Sequence, residues 1–342
     1  MYRSSREIVA EARSRGLEWS LVLGVSDGAR GEKPAHDPYW IDEHSAEPAG
    51  IRGVQTLSRR LQTHPLVANA DLVVSLLPQT DMALSLTSRK WVAYLRGLPW
   101  PDAGESSRLR ATLWRTLERT ALRRSASVWS TTDILRDQAA LSRDVELVPA
   151  GITQIPRQWD GRGERSTFVW AARFDSDKNP DLFLQMMRGV DARGTMYGSG
   201  PEEGRLQRDA PDNVSVGGWV APGELWGDAL AYVGTSHREA FGRSAVEAAM
   251  SGTPVVLSSA FGAAPLLITD PELQRRFVLS PHDPALWSKA LTAIRTDEQL
   301  RVALSQHVFE NASQLTMQAS VDRIAEQVEK TLYVKGTSAG AR

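Results

Sequence analysis

Apolar residues along this chain fall into short, dense runs separated by longer polar or amphipathic stretches. Runs at 19–23, 71–77, 90–95, 127–130 and 145–148 are compact and bounded by Gly, Pro, Ser or Asp, the pattern of buried strands. Between them, residues 3–15 place Ile8, Val9 and Ala12 on one helical face and stop at Gly16. Residues 105–125 set Leu109, Leu113, Leu117 and Ala121 four apart, which predicts a helix with one apolar stripe. The stretch 26–53, with Gly28, Gly31, Pro34, Pro38 and Pro48, is expected to be mostly loop.

From residue 167 onward the alternation sharpens. Strands are predicted at 167–172, 194–197, 214–217, 230–234 and 254–258. Helices are predicted at 180–188, opened by Asn179-Pro180 as N-cap and first-turn residue, and at 243–251, closed by Gly252. A final long helix, 319–332, precedes a polar tail. Strands alternating with helices imply an α/β fold with parallel sheets. A length of 342 residues suits about two domains. The polar, Gly-containing stretch 158–165 is the natural join, which divides the chain into 1–157, 158–318 and a terminal helix and tail at 319–342.

Composition removes several function classes. Lys and Arg number 40 against 41 Asp and Glu, so no global charge calls for a nucleic-acid partner. Cysteine is absent, which excludes disulfides, thiolate metal sites and a cysteine nucleophile. No apolar run nears the roughly 18 residues of a membrane span, and the first residues lack the apolar segment of a secretory signal. The expected setting is cytoplasmic. The inner face of the membrane is a second setting, because the 105–125 helix carries Arg108, Arg110, Arg115, Arg119, Arg123 and Arg124. A solvated basic face on a core-packed helix accounts for the same pattern. Pro99-Trp100-Pro101, just before that helix, is rigid and aromatic enough to line an acceptor side.

The candidate chemistry lies between residues 169 and 265. Arg173 and Lys178 follow a strand and enter a helix, at the sheet edge where ligands of open α/β folds bind. Two cations beside a helix start suit a diphosphate, although a solvated surface pair reads the same. Glu239 lies in the loop after a later strand and Glu247 about one turn into the next helix. Carboxylates at such an edge suit ribose and sugar diols, and the backbone N–H groups of Gly242 and Arg243 suit hydroxyl or phosphate oxygens. Favourable acidic residues at a helix start are the plainer alternative. Asp175-Ser176-Asp177 matches the Asp-x-Asp pattern of metal–diphosphate sites, but Arg173 and Lys178 would compete with a cation, so no metal is expected. The six histidines form no ligand pattern, and His237 reads as an ordinary loop histidine.

The order Arg-x4-Lys, Gly-x-Gly-Pro, Glu-x-Phe-Gly-x4-Glu-Ala-x3-Gly-x-Pro-Val is similar to the retaining glycosyltransferases of GT-B fold, the group that includes phosphatidylinositol mannosyltransferases and sucrose synthases. The resemblance spans residues 165–265 and is weaker before 160. It implies two Rossmann-like domains facing a cleft, a nucleotide sugar on the C-terminal half and the acceptor on the N-terminal half. Carried over, Arg173 and Lys178 hold the diphosphate, Glu239 the donor sugar hydroxyls and Glu247 the ribose. Phe241, Gly242 and Arg243 lie in the same donor-binding segment, and Gly218-Trp219-Val220 lies by the base. The reaction implied is transfer with retention, without metal or cofactor, to a glycan, lipid-linked or small-molecule acceptor.

One departure stands out. Family members open with a strand and Gly-rich loop before the first helix, whereas this chain begins at the helix. The N-terminal domain is therefore expected to lack that strand, unless residues 19–23 with Gly24, Gly28 and Gly31 replace it. A non-catalytic or truncated relative that binds nucleotide sugars or serves as a partner subunit is one alternative. A nucleotide-sugar epimerase or phosphorylase is another, although no pyridoxal-lysine motif is present.

Overall fold

The computed structural model describes residues 2–25, 36–37, 40–48, 50–97 and 108–333. The chain forms two compact units, Met1–Gly151 with Met317–Arg342, and Ile152–Thr316.

In the first unit α1 (Tyr2–Ser14) is followed by β1 (Leu21–Val25), β2 (His36–Asp37), β3 (Ile41–Ser45), α2 (Ile51–Thr63) and α3 (Pro65–Ala68). Then come β4 (Val73–Ser75), α4 (Pro78–Leu84), β5 (Trp91–Leu95), α5 (Arg108–Leu122), β6 (Ser127–Ser130), α6 (Asp133–Ala139) and β7 (Glu146–Leu147). Strands β4-β5-β6-β7 make a parallel sheet, and β1-β3-β2 a three-stranded one. β5 is buried along its whole length because both faces are covered. Trp91, Ala93 and Leu95 pack against Val54, Leu61, Leu84 and Leu122 on one side. Val92 and Tyr94 pack against Ile8, Ala12, Trp129, Val321 and Ile324 on the other.

Two expectations change here. Within 26–53, expected to be mostly loop, Ile41–Ser45 is the central strand of the small sheet, with Ile41 and Glu43 buried. The run 19–23 becomes the strand Leu21–Val25, which sits at the edge of that sheet and pairs in parallel with β3 alone. It is therefore not a central replacement strand, and Gly28 and Gly31 lie outside the described residues, as does Pro99-Trp100-Pro101.

In the second unit β8 (Thr167–Ala171), α7 (Pro180–Met187), β9 (Arg193–Tyr197), α8 (Glu203–Asp209) and β10 (Val214–Val216) lead to β11 (Ala229–Gly234). After α9 (Arg243–Met250) come β12 (Val255–Ser258), α10 (Ala264–Leu267), α11 (Pro271–Phe277), β13 (Val278–Leu279), α12 (Pro284–Thr296) and α13 (Glu298–Ala312). The six strands are parallel, in the order β10-β9-β8-β11-β12-β13. Numbered within the unit, that is 3-2-1-4-5-6, the doubly wound arrangement. β8, β11 and β12 are buried throughout, and their unbroken apolar runs made them legible from sequence.

The polar stretch 158–165 lies inside this unit. Trp159 N donates to Ser251 O at 3.1 Å, and buried Arg301 donates through Nε to Gly161 O at 2.8 Å. The last helix, α14 (Met317–Tyr333), returns to the first unit, where Met317, Val321 and Ile324 complete the core around α1. Among the described residues no helix is long and apolar enough to cross a membrane.

Candidate functional site

The strand order of the second unit changes direction between β8 and β11, and loops leaving neighbouring strands at such a point part to leave a crevice at their carboxyl ends. Residues 172–179 follow β8 and residues 235–242 follow β11, so the switch point receives Arg173 and Lys178 from one side and Glu239 from the other.

The first loop is shaped by its own polar groups. Asp175 Oδ1 accepts from Lys178 N at 3.3 Å, capping a short 3-10 turn, and the Asp175 carboxylate also pairs with Arg173 Nε. Asn179 takes a left-handed φ of 50° and its side-chain amide donates to Pro281 O at 3.2 Å, so it positions the start of α7 by geometry and makes no side-chain cap. Gly198 and Gly200 let the following turn lie against this loop: a Cβ there would fall 1.9 Å from Ala172 O and 2.4 Å from Phe174 O. Gly198 N in turn donates to Gly218 O at 3.3 Å, which brings the 218–220 segment to the same edge with Trp219 mostly exposed.

The two loops are laced together. Lys178 Nζ donates to Glu239 Oε2 at 2.9 Å and to Arg238 O at 3.3 Å, and His237 N donates to Asp177 O at 2.9 Å. Thr235 Oγ1, at the end of β11, lies 2.9 Å from Lys178 O and 2.8 Å from Asn179 O, and accepts from Trp170 Nε1 at 2.8 Å. Buried Thr235 thus fixes the cation loop to both strands.

The carboxylate loop is braced from the far side. Glu239 N donates to Ala260 O at 3.3 Å, Gly262 N to Glu239 O at 2.8 Å, and Ala263 N to Phe241 O at 2.8 Å. Gly242 starts α9 with φ 94°, and a Cβ on it would fall 2.0 Å from the Phe261 ring. Glu247 is buried within α9, with Arg243 3.8 Å from its carboxylate. Burial pushes the Tyr232 phenol pKa up, and the negative charges of Glu239 and Glu247 push it further. Both carboxylates therefore act on one buried ring and share one locale.

Arg173, Lys178, Glu239, Phe241, Gly242, Arg243 and Glu247 all arise from these two loops and the helix that follows. Arg173 is the most exposed of the charged set, its side chain 69% accessible. Sequence reasoning missed Thr235 and Phe261. The hydroxyl directly after the apolar run of β11 was the available signal for Thr235; nothing local marks Phe261. Asp175 is engaged with Arg173 and the Lys178 backbone, and Asp177 lies 3.8 Å from Lys178 Nζ. Among the described residues no group of three or more His, Asp or Glu could hold a metal ion. Chemically, the arrangement offers cations and helix-start N–H groups to phosphate oxygens and carboxylates to a diol.

Comparison with known proteins gives a family match and a fold likeness. Residues 152–311 match the family described as glycosyl transferases group 1. Over 97 residues the chain is 34% identical to D-inositol 3-phosphate glycosyltransferase of Corynebacterium kroppenstedtii, covering 28% of this chain and 21% of that protein. A Thermomonospora curvata protein of the same name is 35% identical over 91 residues, 27% of this chain and 20% of the relative. The matched stretch spans about a fifth of these curated relatives. Among solved structures, sucrose-phosphate synthase from Thermosynechococcus elongatus aligns with TM-score 0.78 at 16% identity, over 97% of this chain and 93% of that one. Anabaena HepE, solved with UDP and glucose, aligns with TM-score 0.67 at 16% identity, over 85% and 86%. Likeness at such identity speaks for the fold, which is α/β with parallel sheets, of the GT-B class.

Proposed function

We propose, from the match of residues 152–311 to glycosyl transferases group 1, that the chain transfers a sugar from a nucleotide-diphosphate sugar to an acceptor hydroxyl with retention. The observation that carries this reading is the 2.9 Å Lys178–Glu239 pair across the switch point, with Glu247 buried in the helix that follows the Glu239 loop. A donor's diphosphate and sugar need opposite chemistries a few ångströms apart, and these side chains supply them.

In this reading Glu247 accepts the ribose hydroxyls, Gly218-Trp219-Val220 borders the base, and the Gly242 and Arg243 N–H groups meet phosphate or sugar oxygens. Glu239 orients the sugar. The anomeric carbon–oxygen bond breaks with its electron pair leaving on the diphosphate, while Arg173 and Lys178 offset the charge that develops there. The acceptor oxygen bonds to the same face of the anomeric carbon, and its proton passes to a phosphate oxygen, so no separate base is required. The acceptor is a glycan, lipid-linked or small hydroxyl compound.

Nucleotide release from UDP-, GDP-, ADP- and dTDP-sugars tests the proposal. UDP-sugars come first, because HepE was solved with UDP and glucose. Turnover is expected to persist in EDTA, since Arg173 and Lys178 occupy the electrostatic role of a cation. Loss of activity restored by magnesium or manganese would overturn the metal-free mechanism. Tight donor binding without turnover would instead assign a nucleotide-sugar-binding subunit.

A further inference from the structure

Among the described residues, the second unit leaves one face of its β8–β9–β10 half without a covering helix. α7 packs on the face formed by Gly194 and Met196: a Cβ on Gly194 would meet Phe183 and Met187 at 3.1 and 3.2 Å. The return from β10 to β11 must cross on the opposite face, by the right-handed rule for parallel crossovers. That return, residues 217–228, holds only a 3-10 turn at Pro222–Glu224 where a helix would cover the sheet. What remains is a groove of about 440 Å³, lined in part by Val169, Thr195, Tyr197, Ser215, Leu225 and Asp228. None of the donor-site residues lines it.

We propose that this groove is a second, non-catalytic site for a neutral saccharide. Its floor is a row of hydroxyls: Thr195 Oγ1 and Ser215 Oγ lie 3.0 Å apart, and Thr167 Oγ1 donates to Asp228 Oδ2 at 2.7 Å. Such groups keep acceptor capacity for sugar hydroxyls. The rim adds carboxylates of Asp212, Glu224 and Asp228 against one guanidinium, Arg193, which pairs with Asp228 at 3.6 Å. That balance disfavours an anion, while carboxylates suit diols. Half-buried Tyr197, set beside buried Val169 and Leu225, offers its ring to the C–H face of a sugar. The volume is within the range of small-ligand pockets. A floor this polar is poor material for burying a second protein copy.

The inference rests on the glycosyltransferase reading for its use, since a second glycan site raises effective acceptor concentration, but the binding needs no turnover. The test is calorimetric titration of the full chain, without donor, against maltohexaose, cellohexaose, chitohexaose, mannohexaose and xylohexaose. At least one is expected to bind with Kd of about 1 mM or tighter. Ser215→Phe, which fills the groove, should weaken it about tenfold or more while UDP binding and Tm stay unchanged; Ser215→Thr should retain it. Glu247→Ala should leave saccharide binding intact. The proposal is overturned if none of the five binds, if Ser215→Phe has no effect, if UDP competes with the saccharide, or if the chain sediments as a dimer that Ser215→Phe dissociates. Saccharide binding without any nucleotide-sugar binding would sink the enzyme reading and leave this one standing.

Discussion

Lys178 and Glu239 neutralise each other across two loops, so removing either changes the other's surroundings as well as the chemistry. Lys178→Ala is expected to lower kcat by about a hundredfold or more, because its charge matters most as the leaving group develops charge. Donor affinity should fall far less. Glu247→Ala should do the reverse, weakening nucleotide binding with a smaller change in kcat, since a ribose contact is nearly equal in ground and transition states. Equal losses in both quantities for both variants would refute this division of roles. Gly242→Ala tests the scaffold: φ of 94° and the Phe261 ring together should cost about 1–3 kcal/mol of stability, read as a lowered Tm, and displace the start of α9.

Among the elements, α5 departs most from its sequence pattern. The expected stripe would bury Leu113 and Leu117, yet Leu113 is 55% exposed, Leu117 is also exposed, and Glu118, Ala121 and Leu122 face the core. Glu118 lies near Asp81 of α4, and burial together with the neighbouring carboxyl pushes its pKa up to about 9; burial pushes Asp81 up to about 7. Among the described residues Asp81 Oδ1 and Glu118 Oε1 find no hydrogen-bond partner. The folded state therefore holds protons that the unfolded chain, with carboxyl pKa values near 4, has already released. Stability should fall as pH rises from about 4 towards the folded-state values, and level off above them. Asp81→Asn and Glu118→Gln should flatten that fall and raise Tm at pH 8. A melt series from pH 5 to 9 in which the variants follow the parent slope would contradict the assignment.

For the molecule as a whole, the first unit is discontinuous in sequence, closed by a helix that begins after the second unit ends. Ile324, buried against the Ile8, Tyr94 and Trp129 cluster, lies more than two hundred residues from β5 along the chain. Ile324→Ala is expected to cost about 2–5 kcal/mol, and to do so in the first unit alone. Limited proteolysis should then release cuts within residues 50–97 while the 152–316 unit stays resistant. Cuts appearing equally in both units would show the two cores to be coupled.

What the sequence determined by itself was most of the second unit: β8, β11 and β12 are buried on both faces, so burial shows as unbroken apolar runs, and the candidate site residues follow β8 and β11. The places of Arg173, Lys178, Glu239 and Glu247 just past those strands were legible for that reason, and so was the final helix. Tertiary structure alone decided the rest. The strand Ile41–Ser45 carries one large apolar residue, and its Glu43 is buried 3.6 Å from Arg6, an ion pair no local pattern announces. The buried face of α5, the role of Thr235 as a tie between strands, and the brace of Phe261 under Gly242 likewise depend on which distant segment arrives beside them. A residue's own polarity records its average preference for burial; the partner that satisfies it comes from elsewhere in the chain, and only the fold brings the two together.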